Sequence, residues 1–83
     1  MPMDEGVREE VLAIVAEIAE MDAGQIAPDA LLRDLGIDSL GGLRIVAEVE
    51  KRYDIVIPEE AISRIRSMAD IFALVDRAST MPP

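Results

Sequence analysis

Asp38 and Ser39 are the residues of this chain whose types and position best suit covalent chemistry. They close the stretch Leu32-Arg33-Asp34-Leu35-Gly36-Ile37 and open a segment of helical spacing, so the serine hydroxyl falls at or beside a helix start. The first-turn amides of a helix have no carbonyl partner within it, and they lie at the positive end of its dipole. A hydroxyl placed there is well sited for a phosphate ester. Asp and Ser are also both good N-caps, because their side-chain oxygens accept bonds from those same amides. Read alone, the pair is most simply a cap, with Ser39 as a modification acceptor the functional reading beside it.

The rest of the composition narrows the chemistry. The chain has no histidine and no cysteine, which removes the usual general base near neutral pH, Ser-His and Cys-His nucleophile pairs, disulfides and thiolate metal ligands. An autonomous hydrolase or metalloenzyme is therefore not expected, and no catalytic residue is assigned. Asp29, Asp34 and Asp38 lack the alternate spacing and closing bidentate glutamate of an EF-hand, so no metal site is assigned either.

At 83 residues the chain is long enough for one core, and we read residues 1–83 as a single domain. Hydrophobic residues make up 51% of it, enough to fold rather than stay disordered. The formal charge of -9 repels nucleic acid and anionic lipid, so basic protein surfaces are the better partners. The acidic Met1-Pro2-Met3-Asp4-Glu5 start is unlike a signal peptide, and the run Val11 to Ala16 is far too short to span a bilayer, which predicts a cytoplasmic protein. Charge is uneven: residues 1–38 hold ten acids against Arg8 and Arg33, whereas residues 39–83 hold seven acids against six bases. Negative charge is thus diluted beyond Ser39.

Hydrophobic periodicity supplies the elements that must position the serine. Val7, Val11, Ile14, Val15 and Ile18 predict a first helix from about residue 4 to 21, stopped by Asp22-Ala23-Gly24. Residues 22–38 have no sustained period and read as a long loop, with a turn of helix near Asp29 to Leu32 and apolar anchors at Ile26, Leu31, Leu32, Leu35 and Ile37. A second helix follows over about 39–52, with Leu40, Leu43, Val46, Ala47 and Val49 on one side. Gly41 and Gly42 are costly inside a helix, and suit a frayed first turn or a close approach to the backbone. Ile57 before Pro58 predicts extended chain, the proline then taking the first position of a short third helix over about 59–65. Ser67-Met68-Ala69-Asp70 has the form of a capping box for a last helix over about 67–78, leaving a tail at 79–83. The predicted fold is all-α: a small four-helix bundle of three main helices and one short one, with a long loop between the first and second. Val11, Ile14, Ile18, Leu43, Val46, Ile62, Phe72 and Val75 are the expected core.

Leu32, Asp34-Leu35-Gly36 and Asp38-Ser39-Leu40 resemble the phosphopantetheine attachment motif of the acyl carrier protein family. The likeness extends over most of the chain, through Ile26-Ala27-Pro28 and Leu31 upstream, and Tyr53, Ile55, Ile57-Pro58 and Ser67-Met68-Ala69-Asp70-Ile71 downstream. It implies that a phosphopantetheinyl transferase, using coenzyme A and magnesium, joins a 4'-phosphopantetheine arm to Ser39, with Asp38 capping the helix and read by the transferase. The absence of cysteine agrees with this, since thioester cargo then needs a borrowed thiol. A shelter for an acyl chain between helices is a further implication of the resemblance that nothing in the pattern marks.

The second helix departs from the acidic pattern of fatty acid synthase carriers, with Gly41, Gly42 and Arg44 read as outward and Lys51-Arg52 at its end. Rim charge tunes which partner docks, which favours a specialised pathway. Leu40, Gly41, Gly42, Arg44 and Glu48 are the candidate partner-binding residues, with Glu50 a second candidate docking acid and Leu40 expected to pack on the helices as well. The expectation is a free-standing, monomeric, non-catalytic carrier of acyl thioesters in polyketide or mixed polyketide-peptide biosynthesis. It would be served by an acyltransferase, a ketosynthase or an acyl/aminoacyl ligase. Alternatives are an aminoacyl or peptidyl carrier, a fatty acid synthase carrier and, in a different class, an unmodified helical adaptor.

Overall fold

The computed structural model describes residues 5–80, with side chains through Arg77. Four helices follow one another: α1 (Glu5–Ala19), α2 (Ser39–Tyr53), α3 (Glu59–Ile62) and α4 (Met68–Thr80). Among the described residues there is no strand, only an isolated antiparallel bridge between Leu31 and Ser67. The all-α bundle with a long first connection is as the periodicity predicts.

Val11, Val15, Ile45, Val46, Val49, Met68, Ile71, Phe72 and Val75 form the buried centre, closed by Ile26, Leu32, Ile37 and Ile57 from the connections. Burying each such side chain stabilises the fold by about 1.5–3 kcal/mol relative to exposure, which is how a chain without cross-links holds together. Helix α1 packs along α2. The two run antiparallel: Glu10, near the start of α1, forms an ion pair with Arg52 near the end of α2, while Ile18 lies beside Gly41 at the other end.

Several boundaries move for local reasons. Helix α1 ends at Ala19 rather than near Met21, because Glu20 turns left-handed at φ 57° and Met21 N then donates to Ala16 O at 3.0 Å. That closure, and not Asp22-Ala23-Gly24, stops the helix. The Asp4 start lies outside the described residues. Helix α2 ends one residue later than predicted, with Asp54 left-handed at φ 53° and Ile55 N donating to Glu50 O at 3.2 Å.

The connection over 22–38 is not plain loop. It holds 3-10 turns at Ala23–Gln25 and Leu32–Leu35, so the predicted turn near Asp29 to Leu32 falls instead on the later segment. Ile26, Leu32 and Ile37 anchor it in the core; Leu35 is half-buried and Leu31 is exposed.

Helix α3 ends at Ile62 rather than at residue 65, the chain continuing as a turn in which Ile65 N donates to Ile62 O at 3.1 Å. Pro58 is its N-cap at φ -62° and ψ 147°, one position earlier than predicted. Ser67 and Asp70 do form the reciprocal box, with Asp70 N donating to Ser67 Oγ at 3.2 Å and Ser67 N to Asp70 Oδ2 at 3.1 Å. Helix α4 runs on through Ser79 and Thr80, two residues into the predicted tail, whose remaining residues 81–83 lie outside the described residues.

Candidate functional site

Gly36 sets the approach to Ser39. Its φ of 78° is left-handed backbone, open to glycine and strained for other residues, and it ends the 3-10 turn that Leu32 pins in the core. Ile37 then buries, and Asp38 takes extended geometry at φ -91° and ψ -172°. Asp38 is thereby the N-cap: Gly41 N donates to its Oδ1 at 2.9 Å, and Gly42 N to its carbonyl at 2.9 Å. Of the two capping candidates, aspartate does the capping.

Ser39 is therefore the first residue of α2, exposed, with no hydrogen bond from its hydroxyl among the described residues. A free hydroxyl at a helix start, beside a carboxylate and with no base, is a poor nucleophile unaided and an accessible acceptor for an enzyme that brings its own base. That arrangement fits a phosphodiester-linked group.

Ser39 also lines an open groove of about 1140 Å³. Its walls are Leu31 and Ile37 from the long connection, Gly42 and Leu43 from α2, and Ile62 and Ile65 from the α3 segment. Arg33, Arg66, Glu59 and Glu60 supply its charged rim. The sequence pattern marked no such hollow. Its signal was present in α2, where Leu40 and Leu43 add to Ile45, Val46 and Val49 more apolar positions than one buried stripe can use.

That surplus corrects the expected helix face. Leu43, expected in the core, is 52% exposed, and Ile45 is buried instead. Leu40 is 67% exposed and is not packed against the core, so it does not share the packing role expected of it. Arg44 and Glu48 are exposed on the same helix. Gly42 opens onto the groove, whereas Gly41 faces inward: a Cβ there would come within 2.8 Å of Ile37 Cγ2. A second, smaller hollow lies between Ile18, Gly36, Leu40 and Arg44. Glu50 is half-buried and accepts a 2.7 Å bond from Ile57 N, so its carboxylate is engaged within the fold rather than free for docking.

At the far end of α2, Arg52 and Tyr53 both reach Glu10, the phenol donating to Glu10 Oε2 at 3.3 Å. Desolvation raises the Tyr53 pKa above its usual value, and the Glu10 charge adds to the rise. The hydrogen bond to Glu10 raises the Arg52 pKa further. This cluster fixes α1 against α2 away from the serine.

An exposed serine at the start of the second helix of such a bundle is open to a group that another enzyme attaches. Residues 9–75 match the phosphopantetheine attachment site family, and the chain belongs to it. It is 32% identical over 69 residues to an acyl carrier protein of Helicobacter pylori, covering 82% of this chain and 88% of that one. An acyl carrier protein of Akkermansia muciniphila is 29% identical over 75 residues, with 89% and 94% covered. A segment of the 3-methylorcinaldehyde synthase of Phoma is 35% identical over 71 residues, 86% of this chain but 3% of that protein. The fold matches a crystal structure of an acyl carrier protein from Thermotoga maritima with TM-score 0.79 at 23% identity, covering 90% of this chain and 88% of that one. It also matches the hexanoyl carrier of the actinorhodin polyketide synthase of Streptomyces coelicolor with TM-score 0.73 at 24% identity, covering 94% and 92%.

The protein is accordingly a non-catalytic acyl carrier with covalently attached phosphopantetheine, a substrate for phosphopantetheinyl transferases and for synthase enzymes in general. The unmodified adaptor is thereby set aside. No helix among the described residues is long and apolar enough to cross a membrane.

Proposed function

We propose that Ser39 is the attachment residue and that the protein carries acyl thioesters in polyketide or mixed polyketide-peptide biosynthesis. The observation that carries the first part is the division of labour at the start of α2. Asp38 takes the capping amide and leaves Ser39, which lines the groove, exposed and with its hydroxyl unbonded. When bound, the arm supplies the thiol on which cargo travels. The chain's own residues hold the ester position fixed, through the Leu32 and Ile37 anchors and the Asp38 cap, and leave it open to partner enzymes. With neither histidine nor cysteine, the protein leaves the thioester for those enzymes to form and break.

The pathway part rests on the exposed side of α2. Leu40 and Arg44 line the smaller hollow, with Glu48 and Lys51 further along the exposed side of α2, so the docking face mixes apolar, basic and acidic groups. Arg44 and Lys51 suit this face less well to a strongly basic partner surface than a uniformly acidic helix would be. Leu40, Gly42, Arg44 and Glu48 are the partner contacts in this reading, with Gly41 acting beneath them by letting the helix seat on Ile37.

Intact mass after treatment with a promiscuous phosphopantetheinyl transferase and coenzyme A tests the attachment. One arm should add to the wild type and none to Ser39→Ala; a gain that survives the substitution assigns the arm elsewhere. Loading by acyltransferase, ketosynthase or ligase partners then separates acyl from aminoacyl cargo, and exclusive amino acid loading would refute the polyketide reading.

A further inference from the structure

Arg33 and Arg66 come together at the groove although they are 33 residues apart in the chain. The antiparallel bridge of Leu31 with Ser67, and the 2.9 Å bond from Leu32 N to Arg66 O, set their backbones side by side. Both are exposed and, among the described residues, neither makes an ion pair. Among the other side chains of the groove, once the arm occupies the Ser39 oxygen, none has a donor left free. Asp38, Glu59 and Glu60 are acceptors, and the Ser63 hydroxyl already donates to Glu60 O at 2.8 Å.

These groups discriminate between three kinds of cargo. A chain ending in a carboxylate could pair with the guanidinium groups but would bring a further negative charge against Asp38, Glu59 and Glu60, which already outnumber Arg33 and Arg66 in the groove of a protein of formal charge -9. A saturated chain would satisfy the apolar walls but would displace water from two guanidinium groups and offer them no acceptor. A neutral chain with carbonyl oxygens satisfies both, laying its carbons along Leu31, Leu43, Ile62 and Ile65 while its oxygens accept charge-assisted bonds.

We propose that Arg33 and Arg66 make this groove selective for neutral, oxo-substituted acyl chains. The proposal rests on attachment at Ser39 and narrows it to a cargo class. The guanidinium groups act on the carried chain and not on the bond to the protein.

The test uses isotope-labelled protein carrying non-hydrolysable pantetheine arms with octanoyl, 5-oxooctanoyl or suberyl chains. Mass spectrometry of each sample comes first, and Nε–Hε signals of Arg33 and Arg66 and methyl signals of Ile62 and Ile65 are then followed by NMR. The 5-oxooctanoyl chain should shift all four and be seated about tenfold more than octanoyl, the ratio expected of one charge-assisted hydrogen bond. The suberyl chain should leave the methyls unmoved. In Arg33→Met with Arg66→Met the preference for the oxo chain should vanish, with signals of the α1 and α4 core unchanged as the check on folding. Equal seating of octanoyl and 5-oxooctanoyl, strongest seating of suberyl, or a preference that survives the double variant overturns the selectivity while leaving attachment intact. Failure of any arm to attach at Ser39 overturns both.

Discussion

A Cβ built on Gly41 would stand 2.8 Å from Cγ2 of Ile37, so the first turn of α2 lies against the chain that leads into it with no room for a side chain. The contact is with a β-branched, buried residue that cannot swing aside, and overpacking of this kind costs about 1–3 kcal/mol. Removing a glycine from a helix returns at most about 1 kcal/mol, and less in the first turn. Gly41→Ala should therefore destabilise the protein. Gly42→Ala meets nothing within 4 Å and should be neutral to stabilising. Urea denaturation should lower the midpoint of Gly41→Ala and leave that of Gly42→Ala at or above the wild type; equal displacement would contradict the inward placement of Gly41.

Asp38 supports the site through one bond of its side chain, to Gly41 N at 2.9 Å. Asp38→Ala should lose about 0.5–2 kcal/mol of stability, the usual loss for a cap, while Asp38→Asn should retain most of it. Transferase labelling separates this from recognition. If Asp38 is also read by the transferase, Asp38→Asn should slow arm transfer to Ser39 while keeping a near-native denaturation midpoint. Transfer at the wild-type rate would confine Asp38 to capping.

Alkaline stability should report on the α1–α2 clamp. Desolvation first, and Glu10 second, hold the Tyr53 pKa above its ordinary value in the folded state. The unfolded chain therefore gives up the phenolic proton more readily. The associated stability is fully present below tyrosine's usual pKa of about 10 and is lost as pH rises through the folded value. Arg52 remains charged throughout that window, since Glu10 raises its pKa further. Tyr53 is the chain's single tyrosine, so phenolate absorbance follows it directly. Tyr53→Phe should flatten the decline of the urea midpoint with rising pH, and an unchanged slope would remove Tyr53 as its source.

Much of this architecture is legible in the sequence because its determinants are local. The 3.6-residue spacing in residues 7–18 and the Ser67–Asp70 box each act within a few residues and stand in the structure as the pattern predicts, while the cap falls on Asp38, one of the two residues that suit it. What was missed depends on partners distant in the chain. Periodicity shows that α2 has an apolar side but not which of two adjoining stripes meets the core, so Leu43 was placed inside and Ile45 overlooked. Leu31 and Leu43 are apolar because they line a groove, a reason that no one-dimensional pattern separates from packing. Gly41 and Gly42 look alike in sequence, and only the position of Ile37 distinguishes them.

Glu48 and Glu50 likewise look equivalent in the sequence, and their structural roles should divide cleanly. Glu50 accepts from Ile57 N at 2.7 Å, joining the last turn of α2 to the strap that leads into α3 and the groove wall. Ile57 is itself buried, so removing the acceptor leaves an amide unsatisfied, a loss of about 1–3 kcal/mol. Glu50→Ala should therefore speed hydrogen exchange at the Ile57 amide and in the α3 segment, whereas Glu50→Gln, which keeps an acceptor oxygen, should stay close to the wild type. Glu48 is exposed and supports no such bond. Glu48→Ala should leave exchange at Ile57 untouched and, if Glu48 meets basic partners, weaken their association most at low salt. Hydrogen exchange with partner binding on the same variants reads both effects. Unchanged protection at Ile57 in Glu50→Ala would show that burial of Ile57 and Met68, rather than the carboxylate, holds the α3 wall in place.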